Sequence, residues 1–178
     1  MQSTFLNNLC SPFTVNKKIQ WITLVIFIAM NCIVLVNAIL HDPRIGYDAE
    51  QHLAYITRLA ELHRPDPKLT REYFSPPLPY ILPALLIWSG LSDLWLAAKF
   101  AQILNFLLSI VLTYYLLKII NLIDSPSSAL KPLALLFLGG LPVYYKTFAY
   151  VRGEPYLACL AVFVTYHSIK IFIKDVYK

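Results

Sequence analysis

The chain has 178 residues, of which 58% are hydrophobic and 14% charged, with a formal net charge of +5 and a mean hydropathy of +0.59. Soluble domains average roughly 45–50% apolar and about 25% charged residues, so this composition excludes an ordinary water-soluble domain and points to a membrane protein. The positive charge does not indicate nucleic acid, because Lys and Arg are scattered among apolar runs, and Cys10, Cys32 and Cys159 give neither a disulfide framework nor a zinc spacing.

In chain order, the first predicted element is a membrane span over residues 20–40, preceded by Lys17 and Lys18. Those lysines favour a cytoplasmic N-terminus and send the residues after the span to the opposite side. The apolar run is too long for a signal-peptide core and ends in Ile39, Leu40 and His41 in place of small residues, so it is expected to stay as an anchor.

An outer loop is expected over 41–93, too long to be an idle connector. Within it Leu53, Ile56, Leu59, Ala60, Leu62 and His63 recur at roughly helical spacing, with Gln51, Arg58, Glu61 and Arg64 between them. This pattern predicts an amphipathic helix on the membrane surface or on neighbouring spans, stopped by Pro65 and Pro67. The next stretch, SPPLPYILPALLIWSGLS, is apolar but short between its breakers and carries Pro76, Pro77, Pro79 and Pro83. It reads as a re-entrant or interfacial segment; were it to cross, every later orientation would invert.

Three further spans are expected over 94–120, 132–148 and 155–173, with a second, small outer loop over 149–154. Lys17, Lys18, Lys118, Lys131, Lys170, Lys174 and Lys178 then lie on the cytoplasmic face, as the positive-inside rule asks. The fold class is therefore an all-α, multi-pass transmembrane bundle of about four spans, forming one membrane domain over 1–178.

This topology brings two acid-bearing loops to one aqueous boundary. In DAEQ, Asp48 can cap the helix starting at Ala49 with Gln51 reaching back, and Glu50 in the first turn suits the helix dipole. A carboxylate at that boundary can also act as a general base toward an acceptor, or hold a cation that neutralises a leaving phosphate. Oxygen ligands of this kind suit Mg²⁺ or Mn²⁺. The second loop adds Lys146 and Arg152, whose charges suit a phosphate, beside Glu154. Plainer roles compete: snorkelling for Lys146 and Arg152, and the aromatic belt for Tyr144, Tyr145, Tyr150 and Tyr156. Gly139 and Gly140 suit close helix packing and Pro142 a kink, whereas His41, His52 and His63 have no metal-ligand spacing.

The order of these features resembles the N-terminal half of integral-membrane glycosyltransferases of the GT-C superfamily: a lysine-led span, YDAEQHLAYITRLAEL past its exit, EYFSPPLPYI, and then FAYVRGEPYLACLAVF. The protein O-mannosyltransferases and bacterial lipid A aminoarabinose transferases are most similar in pattern, the oligosaccharyltransferase catalytic subunit less so. The resemblance implies transfer of a sugar from a polyprenyl-phosphate donor to an acceptor on the extracytoplasmic face, by inverting displacement. It implies Asp48 as the catalytic acid of the first loop, Glu50 as its variable neighbour, and Glu154, with Asp48, as the metal- or phosphate-handling carboxylate; in this reading Asp48 and Glu50 are the catalytic residues, and Arg152 with Lys146 faces the donor phosphate. Pro76 and Pro77 match the start of the interfacial helix. Glu154 departs from the more usual Asp, and the chain is shorter than such enzymes, so a fragment or a split or degenerate member is expected. The implied membrane is the bacterial inner membrane in preference to the endoplasmic reticulum, with the bilayer and the donor lipid as partners and no nucleic acid. The competing reading is a non-enzymatic membrane scaffold or subunit, in which the acids are caps and the cations anchors; the absence of acids deep in the spans argues against ion-coupled transport.

Overall fold

The computed structural model describes residues 16–64, 75–123 and 129–176. Cys10, Pro65, Pro67 and Lys178 lie outside the described residues, as do the side chains beyond residue 173. The described chain is all-helical: α1 (Lys17–Leu40), α2 (Ala49–Leu62), α3 (Leu78–Trp88), α4 (Leu94–Ile123), α5 (Leu130–Gly139), α6 (Pro142–Ala149) and α7 (Glu154–Val176). No strand occurs among the described residues.

Three of these helices, α1, α4 and α7, are long and apolar enough to cross a membrane. Their outward faces carry Trp21, Val25, Ile28, Leu107, Val111, Leu160, Val164 and Phe172, all exposed. Water would not tolerate so continuous an apolar surface, whereas hydrocarbon is a matching solvent for it, because each helix satisfies its own backbone.

The inward faces are bound by polar groups as well as by packing. Asn31 of α1 donates from Nδ2 to Thr113 Oγ1 at 3.2 Å, and Ser109 Oγ donates to Asn31 Oδ1 at 2.8 Å. Near the other end of α1, the Lys99 ammonium of α4 donates to the carbonyls of Ala38 (3.1 Å), Ile39 (2.9 Å) and His41. These pairings order the two helices antiparallel, with Lys17 and Lys18 at the same end of the bundle as the C-terminus of α4. The last turn of α1 has no basic residue of its own, so Lys99 supplies from α4 the cation that its orphan carbonyls and negative dipole end favour. Lys99→Met is accordingly expected to lower stability by about 1.5–3 kcal/mol, the worth of hydrogen bonds from a charged donor, as measured by reversible unfolding in detergent.

The stretch expected as one span over 132–148 is two helices. α5 ends at Gly139 and Gly140, Leu141 is extended (φ −91°, ψ 111°), and Pro142 opens α6, where a missing N–H costs nothing. α1 passes close to Gly139, where a Cβ would lie 3.0 Å from Met30 Cγ and Sδ and the Met30 side chain would have to give way. Together α5 and α6 return the chain to the N-terminal end of α4, and α7 then runs alongside α4, with Cys159 Sγ 3.0 Å from Leu108 O and Tyr166 stacked edge-on against Tyr115. Lys118 and Lys131, expected as flanking charges, are instead buried, at 8% and 0% exposure.

α2 and α3 sit against the N-terminal end of α4. Leu53, Ile56, Leu59 and Ala60 form the buried face of α2, as their spacing predicts, while Leu62 and His63 stay exposed. α2 ends before the prolines, with His63 left-handed at φ 55° and its ring 4.7 Å from that of Trp88. The 11 residues of α3 span roughly 16 Å, about half a hydrocarbon core. Its Tyr80 is buried with Tyr55, Ile56, Ala98 and Val151, so one small core joins α2, α3, α4 and the segment after α6.

Candidate functional site

The candidate site lies where the C-terminus of α1, the N-terminus of α4 and the α6–α7 connection meet. Two amides on α4, one turn apart, hold that connection. Gln102 donates from Nε2 to Ala149 O at 2.8 Å, and Asn105 donates from Nδ2 to Tyr150 O at 2.7 Å and Arg152 O at 3.2 Å. Both amides are buried, at 0% and 2% exposure. A connection at this depth would otherwise carry unpaired carbonyls, each costing about 1–3 kcal/mol.

The connection is also tied to the segment between α1 and α2. The Tyr150 ring stacks on His41 with centroids 4.1 Å apart and planes 8° off parallel. Arg152 Nη2 donates to Tyr47 O at 3.4 Å, and its guanidinium lies 5.6 Å from the Tyr150 ring centre. His41 is fixed in turn through Nε2, which donates to Ile45 O at 2.6 Å. Asp42 and Arg44 pair at 2.6 Å, and the Arg44 side-chain and backbone N–H groups hold the Asp42 carboxyl well below the usual carboxylate range.

Gly46 is needed at this junction. Its φ is +145°, and a Cβ on it would come within 3.1 Å of two Tyr150 ring carbons. Gly46→Ala is expected to cost roughly 1–3 kcal/mol from backbone strain and crowding together. Adding Tyr150→Ala should recover the crowding part only, and a double-mutant cycle on thermal stability in detergent separates the two.

Asp48 follows directly, and here the capping expectation fails. Asp48 is left-handed (φ 59°, ψ 13°) and its side chain makes no capping hydrogen bond. A side-chain cap requires the extended backbone region, from which the carboxylate can reach back over the first turn. Only the Asp48 carbonyl serves the helix, accepting from Gln51 N (3.0 Å) and His52 N (3.1 Å). The carboxylate is exposed, as is that of Glu50. Glu154 opens α7 and lies 3.8 Å from Arg152 Nη1. Among the described residues no three His, Cys, Asp or Glu side chains stand close enough together to hold a metal ion.

Lys146 and Arg152 are directed differently. Arg152 turns to Tyr47 and Glu154, whereas Lys146 lines an open cavity of about 350 Å³ with Asn37, Leu40, His41, Tyr145 and Tyr150. Of the tyrosines assigned to the aromatic belt, Tyr144 is buried in the core and Tyr150 is the stacked link between segments. Sequence reasoning also passed over His41, Lys99 and Gln102. The signal was present: Lys99, Gln102, Asn105, Ser109 and Thr113 recur every three or four residues along an otherwise apolar helix, a polar stripe that only buried partners can satisfy. His52, likewise set aside, is buried with its Nδ1 2.8 Å from the Tyr80 hydroxyl, linking α2 to α3. No protein-family model matches the chain, and no curated protein or solved structure is significantly similar to it.

Proposed function

We propose that this chain is a glycosyltransferase domain that moves a sugar from a polyprenyl-phosphate donor to an acceptor at the extracytoplasmic face of its membrane. The observation carrying the reading is the junction of the two acid-bearing segments, in which Arg152, between Tyr47 O at 3.4 Å and Glu154 at 3.8 Å, links the Asp48 side of the site to the Glu154 side. In this reading α1, α4, the α5–α6 pair and α7 make four crossings, with α2 and the proline-rich α3 at the interface.

The chemistry assigned to these residues is a displacement at the anomeric carbon. Asp48 takes the acceptor proton as the new bond to that carbon forms and the bond to the donor phosphate oxygen breaks, and polyprenyl phosphate leaves with the electron pair. Arg152 faces the leaving phosphate, whose oxygens suit a guanidinium fork. Glu50 and Glu154 orient the acceptor. A divalent cation, Mg²⁺ or Mn²⁺, would draw most of its ligands from donor phosphate and water, with Asp48 and Glu154 as the protein carboxylates nearest the reaction. Lys146, in the neighbouring cavity, lies outside this set.

The test is transfer of label from radiolabelled polyprenyl-phosphate sugars in isolated bacterial inner membranes containing or lacking the chain. Label appearing in lipid, glycan or protein only when the chain is present is the expected result. Identical labelling with and without it would favour the alternative, a non-enzymatic membrane scaffold or subunit, which the exposure of the Asp48 and Glu50 carboxylates also suits.

A further inference from the structure

The cavity beside Lys146 adjoins the junction, sharing His41 and Tyr150 with it, but is lined by a different set of polar side chains. Its lining includes three residues that carry donors, Asn37, Tyr145 and Lys146, together with the stacked His41 and Tyr150, and it contains no Asp or Glu. Among the described residues Lys146 has neither an ion pair nor a hydrogen bond to its ammonium. Its place in the last turn of α6 favours a cation there, but leaves its three donors unused.

Donor-bearing residues contributed by two helices to one cavity, without an acidic partner, suit an anion with several oxygens, and a phosphate accepts from several directions at once. A volume of about 350 Å³ is at the small end of ligand pockets, roughly 300–1,000 Å³, and fits a headgroup better than a whole lipid.

The surroundings select an amphiphile over a free ion. Leu40 is itself part of the lining and is 78% exposed, and below it on the same face of α1 lie Val36 and Ile33, exposed at 51% and 47%. These three recur at helical spacing and make an apolar track leading away from the cavity along a helix long enough to cross a bilayer. A headgroup phosphate in the cavity would leave acyl chains lying along that track. The cavity is at the end of the span, where headgroups and aromatic side chains meet.

We infer that the Asn37–Tyr145–Lys146 cavity binds the phosphate of an anionic glycerophospholipid, a phosphomonoester headgroup such as that of phosphatidic acid, independently of the sugar-transfer site. This inference rests on the membrane placement of α1 and not on the transferase reading.

The experiment is binding of dioctanoyl phosphatidic acid to the purified full chain in uncharged detergent, followed by thermophoresis, with dioctanoyl phosphatidylcholine, inorganic phosphate and a polyprenyl monophosphate in parallel. Phosphatidic acid should bind about tenfold or more tightly than phosphatidylcholine or inorganic phosphate. Lys146→Gln and, separately, Asn37→Leu should each weaken it several-fold, both being exposed positions whose replacement leaves the core intact. Arg152→Gln should leave it unchanged. Equal binding by parent and Lys146→Gln would overturn the site, and inorganic phosphate binding as tightly as phosphatidic acid would overturn the lipid. Polyprenyl monophosphate displacing phosphatidic acid, with both lost in Arg152→Gln, would merge the cavity with the donor site and overturn its independence. None of these outcomes depends on whether sugar transfer is detected.

Discussion

Asp48→Asn is expected to reduce sugar transfer by about 10²–10⁴-fold, the contribution of a positioned general base, with little change in stability. The backbone makes this substitution a clean one. Asp48 is left-handed at φ 59°, and Asn tolerates that region about as well as Asp. The carboxylate makes no cap on α2, so its loss leaves the helix start intact; the Asp48 carbonyl that accepts from Gln51 and His52 is retained. A catalytic role and a capping role therefore separate. Turnover equal to the parent's, measured with the donor that the parent uses, would remove Asp48 from the chemistry. A drop in turnover matched by a drop in thermal stability would make it structural.

Asn105→Leu is expected to be the most disruptive change at the junction of the two segments. Leu has the same number of side-chain heavy atoms but is bulkier and donates nothing, so the carbonyls of Tyr150 and Arg152 lose partners now at 2.7 and 3.2 Å. The expected loss is about 1–3 kcal/mol in unfolding free energy, concentrated in the connection between α6 and α7. Tyr150 would no longer be held against His41, nor Arg152 against Tyr47, so the transfer proposed for this chain should fall through lost positioning. Hydrogen exchange over residues 149–154 reads the local effect: exchange faster in that segment than in the body of α4 is expected, and uniform protection would mean that packing of Val151 alone suffices to fix it.

The helical architecture was legible because hydrophobic length and period are local properties. The runs at α1, α4 and α7 and the buried face of α2 required only counting, and the crowd of prolines with the short apolar stretch at α3 set its length. The break at Gly140 and Leu141 was less legible, since Gly-Gly-Leu-Pro fits both a kinked span and two helices. Met30 lies against Gly139 just before the break, a tertiary contact that local sequence does not reveal. The left-handed Asp48 was hidden for the same reason: Asp-Ala-Glu-Gln is a good capping pattern by composition, and its failure follows from how Gly46 and Tyr47 are held against Tyr150 and Arg152, more than a hundred residues away. Lys146 and Arg152 were matched by charge and proximity in sequence, but α6 ends between them and turns them toward different neighbours. The acid-bearing loops were paired only as a matter of topology; the groups that join them, Gln102, Asn105, His41 and Tyr150, became apparent through contacts.

All of the chemistry assigned to Asp48, Arg152 and Glu154 requires that the 41–48 and 150–154 segments share one membrane face, opposite Lys18. The direct measurement uses a background with Cys10, Cys32 and Cys159 replaced, single cysteines at Tyr47, Glu154 and Lys18, and a membrane-impermeant maleimide applied to sealed vesicles of known orientation. Tyr47→Cys and Glu154→Cys should label from the same side and Lys18→Cys only from the other. Labelling of Tyr47→Cys and Glu154→Cys from opposite sides would contradict the account, because no single site could then contain both Asp48 and Glu154.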